Sequence, residues 1–383
     1  MDLSSGFLRW PALVVGLFVI FVTASSLMRT LVLPRGIASR LSVFVGRKLV
    51  FGGFLFVARR MKTYEAKDKL LASGPPVALL TLLFMWLSLF TLGFALVFYA
   101  VVDVSFGAAL REAGSSMLTL GFATTTTAGA TFIDFLAAAT GLVTVALLIA
   151  YLPVLYAAFN RRETLVTMLQ SRAGAPAWGP EILARHQLVG LNSNLPNFFH
   201  EWEKWAADVA ESHANYQVLV WFRSPHPYRS WTVGLLAVLD SAALYLALNP
   251  TDAPTEARLL LRMGFTGLRD IAGSLKIDFD PDPFPDDPIE LTYEEFLDGV
   301  DRLNGLGFPM ERTPEEAWPH FKGWRVNYEK LAYLLCDLTI APPGPWTGPR
   351  SSLRGEEIEP QRPANRTPEQ PEDEGRAKGH VGH

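Results

Sequence analysis

The sequence predicts an all-α membrane protein: an N-terminal transmembrane helix, a second membrane module of two helices joined by a loop, and a helical cytoplasmic domain. Three observations carry this. Apolar runs at 10–33, 77–102 and 132–159 are each long enough to cross a hydrocarbon core, which takes about 20 helical residues. Apolar residues crowd into the first 160 positions, so a chain that is 49% hydrophobic has a mean hydropathy of only +0.19 over 383 residues. From 161 to 341 apolar positions recur at helical spacing, with few strand-like alternations.

Taken in order, the run 10–33 reads as a retained anchor, because its flank carries Asp2 with only Arg9 and no small-residue cleavage site follows. Segment 34–76 is basic, with nine Lys or Arg between Arg35 and Lys69, whereas the loop 103–131 holds only Arg111. By the positive-inside rule the N-terminus lies outside, 34–76 is cytoplasmic, 103–131 faces out and the C-terminal part is cytoplasmic. The run 41–57 is apolar but interrupted by Arg47 and Lys48, so it reads as an amphipathic helix on the membrane surface. Its basic setting fits anionic lipid at the inner leaflet. Insertion of that run would reverse part of the topology.

The loop between the second and third apolar runs admits two readings, an ordinary external loop or a re-entrant segment lining an ion path. Residues 106–118 suit a short helix, and 119–129 (TLGFATTTTAG) do not. Helix, short helix, Gly-containing extended segment, helix is the order of a pore loop, and non-helical backbone survives at membrane depth only where protein buries it or a watery cavity solvates it.

TLGFA at 119–123 is similar, position by position, to the TVGYG filter of potassium channels, and 77–159 resembles the two-helix pore-loop module of that superfamily. More of the chain resembles a bacterial group of pore-loop channels with an extra first helix and a helical cytoplasmic domain. The stretches that carry this are IAYLPVLYAAFNRRE (149–163), VLVWFRSPHPYRSW (218–231) and RTPEEAWPHFKGWRVNY (312–328). The resemblance implies a homotetramer that conducts potassium or another monovalent cation, with no other cofactor. Thr119, Leu120, Gly121, Phe122 and Ala123 would line the filter by their carbonyls, with Phe122 bracing it from behind. Thr124 and Thr125 would place hydroxyls at the outer mouth. Gly141 and Pro153 in the last apolar run would serve as gating hinges. Two departures matter: Ala123 stands where the family has its second Gly, and Thr124 where an Asp is usual. Ala pays roughly 1–2 kcal/mol for left-handed backbone, so weaker discrimination between potassium and sodium is expected. A non-conducting receptor or scaffold with a vestigial pore is the alternative these departures support.

Other classes find little support. A net charge of −4 argues against nucleic acid, and the lone Cys336 sits in an apolar helical stretch. His200-Glu201 lacks the spacing of a zinc helix, the acidic stretch 278–287 lacks the glycine and the final glutamate of a calcium loop, and no dinucleotide-binding glycine pattern occurs. No enzyme constellation is legible. The first helix carries no run of Arg at every third position, so no voltage-sensing helix is expected. Domain boundaries fall at 1–76, 77–160 and 161–346, with a Pro-, Glu- and Arg-rich tail at 347–383 expected to be disordered.

Overall fold

The computed structural model describes residues 3–33, 39–123, 127–351, 353 and 357–361. Among these the protein is all-α, its β pairing limited to the isolated bridges Ala175–Gln361 and Arg350–Leu353. Five helices among the described residues are long and apolar enough to cross a membrane, the mark of a membrane-associated, multi-pass chain. The chain divides into two units, Met1–Phe159 with Ser212–Phe222, and Asn160–Glu211 with Arg223 onward.

The first unit contains α1 (Leu3–Leu31), α2 (Arg40–Val43), a π-helical stretch (Phe44–Phe51), α3 (Gly52–Ala58), α4 (Tyr64–Ala72), α5 (Gly74–Val101), α6 (Phe106–Met117) and the first part of α7 (Ala128–Ala173). α1 and α5 run antiparallel: Arg9 pairs with Asp103, Gly16 faces Gly93, and Ser26 meets Trp86. The two glycines permit a close crossing, since a β-carbon at Gly16 would stand 2.8 Å from the Gly93 carbonyl oxygen. Small residues of this kind let membrane helices approach backbone to backbone. Below the crossing the hydroxyls form a chain whose donors all find acceptors. Trp86 Nε1 donates to Ser26 Oγ at 3.2 Å, Ser26 and Ser42 share a bond at 3.1 Å, Ser42 and Thr30 share one at 2.9 Å, and Thr30 Oγ1 donates to the Ser26 carbonyl.

That chain anchors Ser42, and here the structure departs from the sequence reading. Residues 41–57 do not form a helix free to lie on a surface. Arg40–Ala58 is one 19-residue helix of mean hydropathy 1.7, docked lengthwise on α5. Val45 joins the core of Leu82 and Trp86, while Val50 and Phe51 pack with Ala78. The reason is spacing. Buried residues recur five apart, at Val45 and Gly46 and again at Val50 and Phe51, which matches the i→i+5 bonding of a π-helix. Lys48 and Leu49 are thereby turned outward.

Ser212–Phe222, expected within the cytoplasmic domain, belongs to this first unit. Trp221 stacks on Phe51 with ring centroids 5.0 Å apart, Tyr216 meets Tyr151 edge-on at 5.6 Å, and Phe222 packs on Tyr156 and Phe159.

The second unit is a helical bundle of the end of α7, α8 (Gly179–Leu188), most of α9 (Leu195–Asn215), α10 (Trp231–Leu248), α11 (Thr255–Leu275), α12 (Tyr293–Asn304), α13 (Pro314–Arg325) and α14 (Glu329–Thr339). α10 is apolar enough to span a bilayer, but its window is 100% buried in protein, against 22–39% for the other four. It is the core of the bundle. α12 and α13 begin with capping boxes, Thr292 with Glu295 and Thr313 with Glu316. α13 carries Pro319 within its span. The bundle also extends past 346, where the tail was expected to begin. Arg350 is buried and donates to the carbonyls of Ala341, Pro342 and Thr347, and Gln361 pairs with Ala175. Residues 362–383 of the expected tail lie outside the described residues.

Candidate functional site

The loop between α5 and α7 is built on α6. Ser105 starts that helix by accepting from the Ala108 N–H at 3.3 Å. Ala109, Ala113 and Met117, four residues apart, bury one face into the aromatic core formed by Phe90, Phe94 and Phe98. The predicted short helix is therefore present, ending at Met117 instead of 118.

How it ends decides the course of the chain. Thr119 N–H donates to the Ser116 carbonyl at 3.0 Å and Leu120 N–H to the Ser115 carbonyl at 2.8 Å, the bond pair of a Schellman cap. That cap needs a left-handed residue, and Thr119 supplies it with φ 53. A β-branched residue there costs roughly 1–2 kcal/mol, a strain that persists only where surrounding bonds fix it. Gly121 is also left-handed, with φ 69, and no atom lies within 4 Å of where its β-carbon would be. Backbone conformation alone, and not space, requires glycine at 121.

The second half of the loop hangs from Ser115, which is fully buried. Its hydroxyl oxygen accepts the N–H groups of both Phe122 and Ala123 at 3.1 Å, and reaches the Ala123 carbonyl at 3.5 Å. Thr119, Leu120, Phe122 and Ala123 thus all return their N–H groups to the last turn of α6. A trans peptide sets its C=O antiparallel to the following N–H, so the carbonyls of Gly121 and Phe122 point away from Ser115. Leu120, Gly121 and Phe122 are exposed on that side.

Within one chain Phe122 is 55% exposed, with the Arg111 guanidinium 5.3 Å from its ring centroid, and the inner side of the loop is held by Ser115. Thr124 and Thr125, the expected outer-mouth residues, lie outside the described residues.

α7 closes the site from the other side. Ser116 Oγ donates to Asp134, and a β-carbon at Gly141 would stand 2.0 Å from the Met117 carbonyl oxygen. Three consecutive residues, Ser115, Ser116 and Met117, therefore touch the loop and two points on α7. Helix α7 continues unbroken through Gly141 and Pro153, with Pro153 exposed. Gly141 is placed as a close-packing residue, and Pro153 removes one backbone donor from the helix. The sequence reading missed Ser115, Ser116 and Asp134. Two signals were available: a Ser pair just before a glycine-bearing loop, and Asp134 as the one acid within 132–159.

No cluster of His, Cys, Asp or Glu fit to hold a metal ion occurs among the described residues. Against protein-family models, curated proteins and solved structures, the chain finds no match.

Proposed function

We propose that this chain is one subunit of a tetrameric cation channel whose narrow part is lined by the backbone carbonyls of 119–123. The observation that supports the reading best is the direction of the loop's N–H groups, back into α6, which leaves the Gly121 and Phe122 carbonyls facing the open side. Carbonyls in that attitude can replace the hydration shell of a monovalent cation. Each chain carries one such loop and so one wall of a pathway, and closure about an axis takes several copies, four in the potassium-channel arrangement.

In this reading potassium passes with incomplete discrimination against sodium, because Ala123 cannot take the left-handed backbone of a second glycine without strain. In this reading the loop faces outward and the second unit is cytoplasmic, following the excess of Lys and Arg between Arg59 and Lys69, just before α5, over the lone Arg111 of 103–131. Opening bends α7 at Pro153, where one helical hydrogen bond is already missing. Purified full-length protein in liposomes tests the reading. Potassium-driven flux in wild type, abolished in Gly121→Pro, is the expected result; equal flux in both would sink it.

A further inference from the structure

Hydroxyl side chains in the membrane helices of this protein have a common habit. Thr23, Thr81, Thr91, Thr140 and Thr144 each donate to the carbonyl four residues earlier, the usual way a buried hydroxyl is satisfied inside a helix. Ser115 departs from it. It sits in the last turn of α6, fully buried, and its bonds run forward to Phe122 and Ala123, seven and eight residues on. The two amides it receives lie in irregular backbone, where an unpaired N–H is costly away from water. Two successive N–H groups converge on one oxygen only if neighbouring peptide planes face the same way, which the backbone at Phe122 sets, while left-handed Thr119 and Gly121 turn the chain back toward Ser115.

We propose that Ser115 is the positioning residue of the loop, its hydroxyl holding the Phe122 and Ala123 amides and so aiming the carbonyls that a second glycine would otherwise help to aim. Asp134 is the second link, since through Ser116 it fixes the same helical turn to α7 and brings a carboxylate close to a loop that lacks one at Thr124. The role assigned to Ser115 in selectivity rests on the channel reading; its role in holding the two amides does not.

The test uses the full-length protein as wild type, Ser115→Ala and Ser115→Thr. Potassium-to-sodium flux ratios are read in liposomes, and amide hydrogen exchange at Phe122 and Ala123 by NMR on selectively labelled protein. Ser115→Ala is expected to speed exchange at both amides by about tenfold or more and to move the flux ratio toward unity while flux persists, and Ser115→Thr to restore both. Wild-type exchange rates in Ser115→Ala would overturn the proposal whether or not the protein conducts. Faster exchange with an unchanged flux ratio would overturn the selectivity role. Absence of flux in wild type would overturn the channel reading, and with it that role, leaving the exchange arm to decide the rest.

Discussion

Gly141 lies so close to Met117 that any side chain at 141 would run into the Met117 carbonyl, with 2.0 Å between that oxygen and an added β-carbon. Backbone on both sides of the contact leaves nothing flexible to give way. Gly141→Ala is therefore expected to destabilise the protein by about 2 kcal/mol, in the range of other overpacked cores. A hinge residue would behave differently, losing gating with little loss of stability. A thermal midpoint in detergent within a degree of wild type would contradict the packing role.

The stacking of Trp221 on Phe51 ties Ser212–Phe222 to the helix Arg40–Ala58. A double-mutant cycle with Phe51→Leu and Trp221→Leu should return a coupling of about 1 kcal/mol, typical of an aromatic pair in contact. Strict additivity would mean the rings do not meet in solution.

In the second unit, Asp240 lies fully buried against Arg325 at 3.2 Å and accepts from the Tyr328 hydroxyl at 2.8 Å. Burial pushes its carboxyl up to about 7, with Arg325 and Tyr328 pulling it back. The unfolded chain loses this proton near pH 4, so between about pH 4 and pH 7 the folded state holds a proton the unfolded state lacks. Stability from this group is present at low pH and falls as pH rises through that window, then levels off. Wild type should lose stability relative to Asp240→Asn by up to about 1.4 kcal/mol per pH unit there. Thermal midpoints of the two proteins running parallel from pH 4 to pH 8 would rule this out.

Arg350 predicts a requirement for chain beyond 346. Its guanidinium satisfies the carbonyls of Ala341, Pro342 and Thr347 in a dry setting. Cutting the chain before it strands the acceptors that stay behind, Ala341 and Pro342, at about 1–3 kcal/mol for each that water does not reach. Truncation after residue 346 should lower the thermal midpoint by several degrees, whereas truncation after 361 should lower it far less. Equal effects would return 347–361 to the status of a tail.

What was legible in the sequence was whatever depended on local chemistry. α1, α5 and α7 follow from apolar length, and α6 from its Ala, Leu and Glu content, with an end one residue early. The Arg40–Ala58 helix was misread because its buried positions recur every five residues, a period that neither helical nor strand templates score, and because Arg47 and Lys48 broke the run. Residues 347–361 read as part of a disordered tail by composition, since the carbonyls that hold Arg350 are backbone groups that no residue type announces. Ser115 escaped for a similar reason: a serine in a short helix carries no sign that its partners lie seven and eight residues on.

The central claim, a carbonyl-lined path through 119–123, is tested most directly by planar-bilayer recording of the purified full-length protein with potassium on one side and sodium on the other. The account predicts discrete unitary currents that reverse at a potential favouring potassium by a modest ratio, and their loss in Gly121→Pro. Protein that reconstitutes as an intact tetramer yet passes no unitary current at either polarity would contradict it.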